Sequence, residues 1–481
     1  MNSNNTFTIY SELNVEISSS DAKTLKIIKK NYNDKEVEDY VVVVPPYMFE
    51  YESFCKLRWR DRTLRDLFLN EFRTRPIEEY LRLIDQRRLS VNDTPVNSLD
   101  YIVRNGDKIK HRSLFIELPV AIDKVKILYD SSTLLAVFKP CGIPCHPQGR
   151  FNKLSLTKLI QSEYLSKLNT NSTYIHPINR LDRVTSGLVL LSKDSSTTKN
   201  LSSKVQFAHK YYLAMINEST SNFISHISQS SIEGVSIREL SLDESHGITS
   251  HVIKCEIGLK TLKDREGESL ITRIDSSENS KYSLTYFFPL ISCLDINEAK
   301  KQKINETDKY SILLCKPITG RTHQIRAHLK YIGFPIVRDI LYSDKVLPGT
   351  KLNTSSFKFT DSNLSARCIY NIKDLEVEEL LEFPLQKKYF GGGGSMSLDS
   401  SDGLAHVEYF VEPPIGICLH SLLYILPPSV PTEKYLIFKC EVLPDWIAKN
   451  TNLNIARVLE DWPYWNKSIL SELKNNKLGL L

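Results

Sequence analysis

Apolar positions divide the chain into segments of two periods. Leu134 to Phe138 and Leu188 to Leu191 are short continuous apolar runs, each preceded by polar residues, as expected of buried strands. Tyr212 to Ile216, Tyr310 to Cys315, Cys418 to Tyr424 and a segment from Phe438 predict further strands. Leu64, Leu67, Phe68 and Phe72 recur at helical spacing, as do Tyr80, Leu81 and Ile84. Leu89-Ser90-Val91 follows as a short strand, with turn chemistry at Asn92-Asp93 and Asn105-Gly106-Asp107. Lys153 to Leu168 reads as an amphipathic helix, and Thr197 to His209 as a helix feeding the strand at Tyr212. Lys23 to Lys30 reads as helical and Val41 to Val44 as a strand ending at Pro45-Pro46. Asn217 to Asp308 is polar and serine-rich, with weak strands, and the last thirty or so residues read as peripheral helix.

The 481 residues are enough for more than one domain, and 41% hydrophobic with 25% charged residues is globular composition. No stretch is apolar for long enough to span a membrane. Met1 to Asp21 has no apolar h-region and none of the arginines of a transit peptide, so a cytoplasmic address is expected, with the nucleus or mitochondrion as further addresses. Nine scattered cysteines imply reduced thiols. Cys141 and Cys145, beside His146, lack a second ligand pair, so packing is expected there and no metal. The net charge is +5, and Lys56 to Arg112 alone holds 14 Lys+Arg against nine Asp+Glu. That local excess fits a polyanion contact or an ordinary solvated face.

Two stretches carry chemistry. In Asn179-Arg180-Leu181-Asp182-Arg183-Val184-Thr185-Ser186-Gly187 a carboxylate stands between two arginines, just ahead of an apolar strand. On local pattern alone, a capping or salt-bridged aspartate is the first reading. The second stretch is Gly320-Arg321-Thr322-His323-Gln324-Ile325-Arg326, and Lys210-Tyr211-Tyr212-Leu213-Ala214 lies between them. Together, in this order, they resemble the motifs of the RluA-type RNA pseudouridine synthases. Lys139-Pro140-Cys141-Gly142 resembles that family's Lys-Pro-x-Gly segment, and Lys281 to Phe287 a strand ahead of its third motif. Residues 51 to 112 are similar to an S4-type RNA-binding module, and Tyr51 to Trp59 to the fungal tRNA branch of the family.

The resemblance implies an α/β (α+β) pseudouridine synthase fold, with a long, mixed, mostly antiparallel sheet and a central cleft, plus a small S4-like α+β module. The expected organisation is an N-terminal extension (1–50), the S4-like module (51–118), a catalytic domain (119–342), an insertion with a linker at Phe390 to Ser395 (343–411), closing catalytic strands (412–450) and a helical extension (451–481). By motif position Asp182 is the nucleophile, attacking either the ribose or the uracil ring. Arg326 is its partner, and Tyr212 stacks on the base and helps to remove the C5 proton, with Tyr211 as the competing register. Arg180, Arg183, Asn179 and Ile325 are implied around the substrate, with His323 and Gln324 as support. Arg58, Arg60, Arg62, Arg73, Arg75, Arg87 and Arg88 would face RNA phosphates. Asn179 stands where many members have His, and Arg338 where a glycine is common.

The resemblance further implies a monomeric isomerase without cofactor or metal, converting a uridine of the tRNA anticodon arm, at position 31 or 32, to pseudouridine. The alternatives are an RNA-binding protein of this fold without activity, or a synthase acting on rRNA, mRNA or mitochondrial RNA. A hydrolase or deaminase finds no Gly-x-Ser-x-Gly, metal-ligand set or phosphate loop here.

Overall fold

The computed structural model describes residues 6–9, 12–17, 23–30, 36–44, 47–72, 77–115, 117, 120–121, 125–149, 151–164, 174–239, 251–263, 270–290, 310–343, 365–371, 394–399, 404–410, 416–428 and 435–448. The chain forms two compact units, one of residues 1–38, 42–119 and 359–411, the other of 39–41, 120–358 and 412–481. The helical segment expected at 451–481, Arg73, Arg75 and most of the Phe390–Ser395 linker lie outside the described residues.

In the first unit, β1 (Tyr47–Phe54), α1 (Leu64–Asn70), α2 (Ile77–Asp85), β2 (Leu89–Val91) and β3 (Lys108–Phe115) follow the order read from the sequence. β3 pairs antiparallel with both β1 and β2. Thr63 caps α1 by accepting from the Asp66 N–H. The helices bury Leu64, Leu67, Phe68, Tyr80 and Leu83 against Leu89, Val91 and Ile109, with Phe68 and Tyr80 stacked at 3.8 Å. Lys23–Lys30 is a strand and not the helix expected: the β-branched Thr24, Ile27 and Ile28 suit a strand as well. Glu12–Ile17 pairs in parallel with Ser365–Asn371, so the N-terminal extension and the insertion share a sheet. Gly394–Asp399, reaching into the expected linker, is a strand paired with Leu404–Phe410.

The second unit is mixed α/β, built on an eleven-stranded sheet. Its strands are β4 (Lys126–Asp130), β5 (Leu134–Lys139), β6 (Ser186–Ser192), β7 (His209–Ile216), β8 (Val235–Glu239) and β9 (His251–Glu256). After the hairpin β10 (Leu259–Lys263) and β11 (Leu270–Ile274), β12 (Leu284–Pro289), β13 (Ser311–Pro317), β14 (Leu419–Leu426) and β15 (Leu436–Lys439) complete the set. The order across the sheet is β4-β5-β6-β14-β7-β13-β12-β9-β8, with β15 and His176–Pro177 beside it. Its strand pairs are antiparallel except β6 with β14. β5, β6, β12, β13 and β14 are buried along their whole length, which explains their continuous apolar sequence.

β14 arrives from beyond the insertion and fits between β6 and β7. It is the register of this strand that brings distant motifs together, because Ser421 stands opposite both Gly187 and Tyr212. Gly187 has φ +119, and a Cβ there would stand 2.3 Å from the Ser421 carbonyl oxygen, so only glycine admits that strand. Helix α3 (Leu156–Leu159) is shorter than the segment expected, continuing as a π-helical turn over Ile160–Tyr164. α4 (Ser195–Val205) is capped by Asp194. α5 (Thr220–Gln229) falls in the serine-rich stretch read as weak strands: Ser219 caps it, and Phe223 and Ile227 bury one face at i, i+4 spacing. α6 (Gln324–Ile332) is buried nearly all round and ends at Gly333.

His328 on α6 bonds the hydroxyls of Ser283 and Thr285, and His420 on β14 bonds that of Ser186. Burial holds both imidazoles down to about 3. The unfolded chain therefore takes up these protons near pH 6.5, which the folded chain refuses until far lower, so stability is whole above pH 6.5 and declines as pH falls through that window. We expect a loss of about 2 kcal/mol per histidine at pH 5 relative to pH 7. Urea unfolding at the two pH values measures it, and a flat response would contradict the assignment.

Candidate active site

The loop ahead of β6 is fastened from several sides. Asn179 donates its amide N–H to Leu188 O at 3.2 Å and accepts from Leu190 N at 2.7 Å, pairing with β6 as a backbone would. Leu181 N donates to Cys145 Sγ at 3.2 Å. The fully buried Lys139 ammonium donates to the carbonyls of Pro140, Ile143 and Arg183 at 2.8, 3.0 and 3.3 Å, tying the proline-rich loop to the motif loop. Burial brings Lys139 down to about 8, against the opposing pull of Cys145, Cys141 and Asp182. Thr185 N closes a turn onto Asp182 O.

Arg326, one turn into α6, meets this loop. Its Nη1 donates to Asp182 Oδ2 at 2.9 Å. Its Nε and Nη2 grip Asp339 at 2.7 and 2.9 Å, a two-point contact with a carboxylate only 1% exposed. Burial opposes the charge on Arg326, but Asp339 first and Asp182 next hold it above the ordinary guanidinium range. The Tyr342 ring lies 4.9 Å from the guanidinium carbon. Gln324 pins the preceding turn: its Oε1 accepts from Thr319 Oγ1 and Arg321 N, and its Nε2 donates to Leu284 O and Thr285 Oγ1.

Tyr212 is buried beside this pair, its hydroxyl 3.3 Å from that of Tyr424. Burial first, then Tyr424 and the charge of Asp182, raise its phenol well above the ordinary range, so it is a neutral ring in the resting protein. Tyr211 is 1% exposed and neighbours Lys316, whose Nζ is 5.4 Å from its ring, so it is Tyr212 that shares its surroundings with Asp182.

The other expected residues divide. Ile325 is buried on α6; Arg180 is exposed; Arg183 is half-buried with its guanidinium 5.5 Å from the Phe151 ring. Asn179 is 5% exposed; both ends of its amide bond β6, and its side chain also bonds Tyr424, the partner of Tyr212. Arg58 and Arg62 both bond Glu71, and Arg62 also pairs with Asp66. Arg60 is exposed and donates to Asn105 Oδ1 at 2.6 Å, Arg87 is exposed, and Arg88 is half-buried. Asp339, Tyr342 and Tyr424 were given no role from the sequence, and Lys139 was read only as part of the Lys-Pro-x-Gly segment. Only Arg338 gave a signal nearby, and its φ of +66 shows a glycine-like turn occupied by arginine. Among the described residues no cluster of His, Cys, Asp and Glu fits a metal.

A carboxylate 30% exposed, an arginine held ionised and a buried neutral phenol on one side of a sheet can support nucleophilic chemistry on a ring drawn in from solvent. Residues 133–331 match the pattern of the family described as RNA pseudouridylate synthase. The chain is similar to the mitochondrial tRNA pseudouridine(32) synthase of Saccharomyces cerevisiae, with 28% identity over 442 residues, 88% of this chain and 82% of that one. It is similar to RNA pseudouridine synthase 7 of Oryza sativa subsp. japonica, with 31% identity over 342 residues, 67% of this chain and 74% of that one. It is also similar to tRNA pseudouridine(31) synthase of Saccharomyces cerevisiae, with 27% identity over 334 residues, 63% and 72% of the two chains.

The geometry makes Asp339 the principal counter-charge of Arg326. Asp339→Asn is expected to cost about 3–5 kcal/mol of stability, since it leaves a buried cation half-paired. Asp182→Asn removes one bond at a partly exposed group and should cost clearly less. Equilibrium unfolding of the two variants decides it, and equal losses would refute this ranking.

Proposed function

Because the chain belongs to the RluA-type RNA pseudouridine synthases, we propose that its substrate is tRNA, that the uridine it isomerises lies in the anticodon arm at position 31 or 32, and that Asp182 is its nucleophile. The protein is an isomerase acting on RNA. In the reaction the N1–C1′ bond breaks and a C5–C1′ bond forms; C5 loses a proton and N1 gains one. Neither redox change nor energy input is required. The uracil must leave the helix stack, be held while detached, and be turned.

The single observation that carries the reading is the 2.9 Å bond from a buried, doubly braced Arg326 to the partly exposed Asp182. A guanidinium that stays charged keeps the carboxylate available as a nucleophile in a site with little water. Tyr212 suits stacking on the base, being flat, neutral and fixed at its hydroxyl by Tyr424. Its pKa in the resting site is raised by burial first, then by Tyr424 and the field of Asp182, so the phenol is protonated and acts as base on C5 only after giving up its own proton, which easing of the Asp182 field on attack makes less costly. Ile325 provides an apolar wall. The tRNA assignment rests on relatives named for positions 32 and 31.

The basic N-terminal module is read as S4-like and as the part that grips tRNA phosphates through Arg60 and Arg87. Arg58 and Arg62 join once RNA phosphates compete with Glu71, the partly covered carboxylate they share. The protein is read as a monomer of the cytoplasm. The mitochondrion is a second address, because one relative carries that word in its name. Among the described residues no helix is long and apolar enough to cross a membrane.

Pseudouridine mapping of total RNA from cells lacking the gene tests the proposal. Wild-type protein should restore pseudouridine at position 31 or 32 of tRNAs, and Asp182→Ala should restore none. Restoration by Asp182→Ala would remove Asp182 from its role, and restoration only in rRNA or mRNA would remove tRNA from the reading.

A further inference from the structure

Between α6 and the β10–β11 hairpin lies a polar chain that the reading above does not use. His323 Nδ1 is 3.0 Å from the Tyr342 hydroxyl. That hydroxyl accepts from Thr272 N at 2.9 Å. On its other side the His323 ring presents Nε2 to Asp182 Oδ2 at 3.6 Å. Tyr342 is 5% exposed, and its ring stands edge-on to the imidazole.

The polarity of this chain follows from counting protons. A phenol has one proton to give and two lone pairs. Thr272 N–H occupies one lone pair, so the hydroxyl proton needs an acceptor. His323 Nδ1 is the acceptor at hand. The Thr272 side chain also bonds the phenol, as a donor; if Nδ1 carried the proton as well, the phenol would meet donors on every side and leave its own buried O–H unpaired, at a cost of about 1–3 kcal/mol. The ring is therefore protonated at Nε2, the atom that faces Asp182. Burial lowers the His323 pKa. Asp182 pulls it upward, Arg326 pushes it down and Asp339 pulls it upward, with burial prevailing. The facing phenol of Tyr342 is raised to about 12, by burial first, so it stays a donor at neutral pH.

A second observation points to the same residue. His323 has φ +53 and ψ +23, left-handed backbone immediately ahead of α6. Histidine tolerates this region better than most side chains, yet it is sparsely populated and is kept where surrounding structure fixes it. The turn aims the imidazole at the carboxylate.

We propose that His323 and Tyr342 are positioning residues: Tyr342 fixes His323 as the neutral Nε2–H tautomer, which with Arg326 Nη1 secures Oδ2 of Asp182 and leaves Oδ1 as the attacking oxygen. The proposal rests on the reading of Asp182 as nucleophile. At 3.6 Å the imidazole is beyond an ordinary hydrogen bond and would close on Oδ2 when the uridine displaces water, as contacts in empty sites commonly do.

The test reads the tautomer and the rate separately. In protein labelled with 15N-histidine, the His323 resonances are assigned by their loss in His323→Asn, a change that retains tolerance of left-handed backbone. At pH 7 they should show Nε2 protonated and Nδ1 accepting. Tyr342→Phe, which keeps the ring beneath Arg326, should abolish that preference. Single-turnover rates on tRNA should fall about 10- to 100-fold in each variant with unchanged tRNA affinity. The double variant should be no slower than the slower single one. An Nδ1–H or doubly protonated ring, a wild-type rate in Tyr342→Phe, or losses that multiply in the double variant would overturn the proposal. The tautomer should persist in Asp182→Ala. An Asp182→Ala protein that remained active with the tautomer intact would sink the nucleophile reading alone.

Discussion

One guanidinium shared between two carboxylates holds the catalytic unit's chemistry in place. Arg326 gives two donors to Asp339 and one to Asp182. The division is unequal by design of burial: Asp339 is enclosed, while Asp182 is about a third exposed. Charge pairing inside protein is strong only where the partners cannot be hydrated. The Asp339 contact therefore fixes Arg326, and the fixed Arg326 in turn orients Asp182 without smothering it. A single Arg–Asp pair could not do both, because a partner grips a carboxylate most strongly where substrate can reach it least.

Around this ion pair the titratable groups are kept neutral. Tyr212, Tyr342 and Tyr424 are raised by burial, and His323, His328 and His420 are lowered by it. At Tyr212 and His323, which both feel the Asp182 charge, the change disfavours a second charge beside that carboxylate. The result is a pocket whose field comes from few sources, chiefly Arg326, its two carboxylates and the buried Lys139 below the loop. In such surroundings, modest shifts in donor geometry alter carboxylate reactivity more than they would in water.

Much of this was legible because it is local. Continuous apolar runs gave β5, β6 and β14, and turn residues with helical spacing gave the N-terminal module in its observed order. Asp182, Tyr212 and Arg326 were readable only as a set of motifs, because nothing in the neighbourhood of any one of them distinguishes it from an ordinary loop or helix residue. The misses have physical causes. Helix α5 hides in serine-rich sequence because a serine cap and two apolar residues are enough to dock it. The strand at Lys23–Lys30 carries residues that serve either period. Asp339 and Tyr342 were invisible because their meaning lies in a partner 13 residues away and in a strand some seventy residues earlier.

Asn179 shows how a departure from the motif can be taken up by the scaffold. A polar residue three places before Asp182, at a position where relatives of the resemblance carry histidine, invites a role at the substrate. The structure gives its amide to Leu188 and Leu190, so it acts as one more rung beside β6. An amide can satisfy a strand's N–H and C=O together, which an imidazole of either tautomer cannot do with the same geometry. The position of Asp182 then depends on Cys145 at Leu181, on Lys139 beneath Arg183, and on the Thr185 turn, none of which requires histidine at 179. The departure at that residue has been absorbed into the scaffold, and the Asp182 carboxylate is left where the rest of the fold puts it.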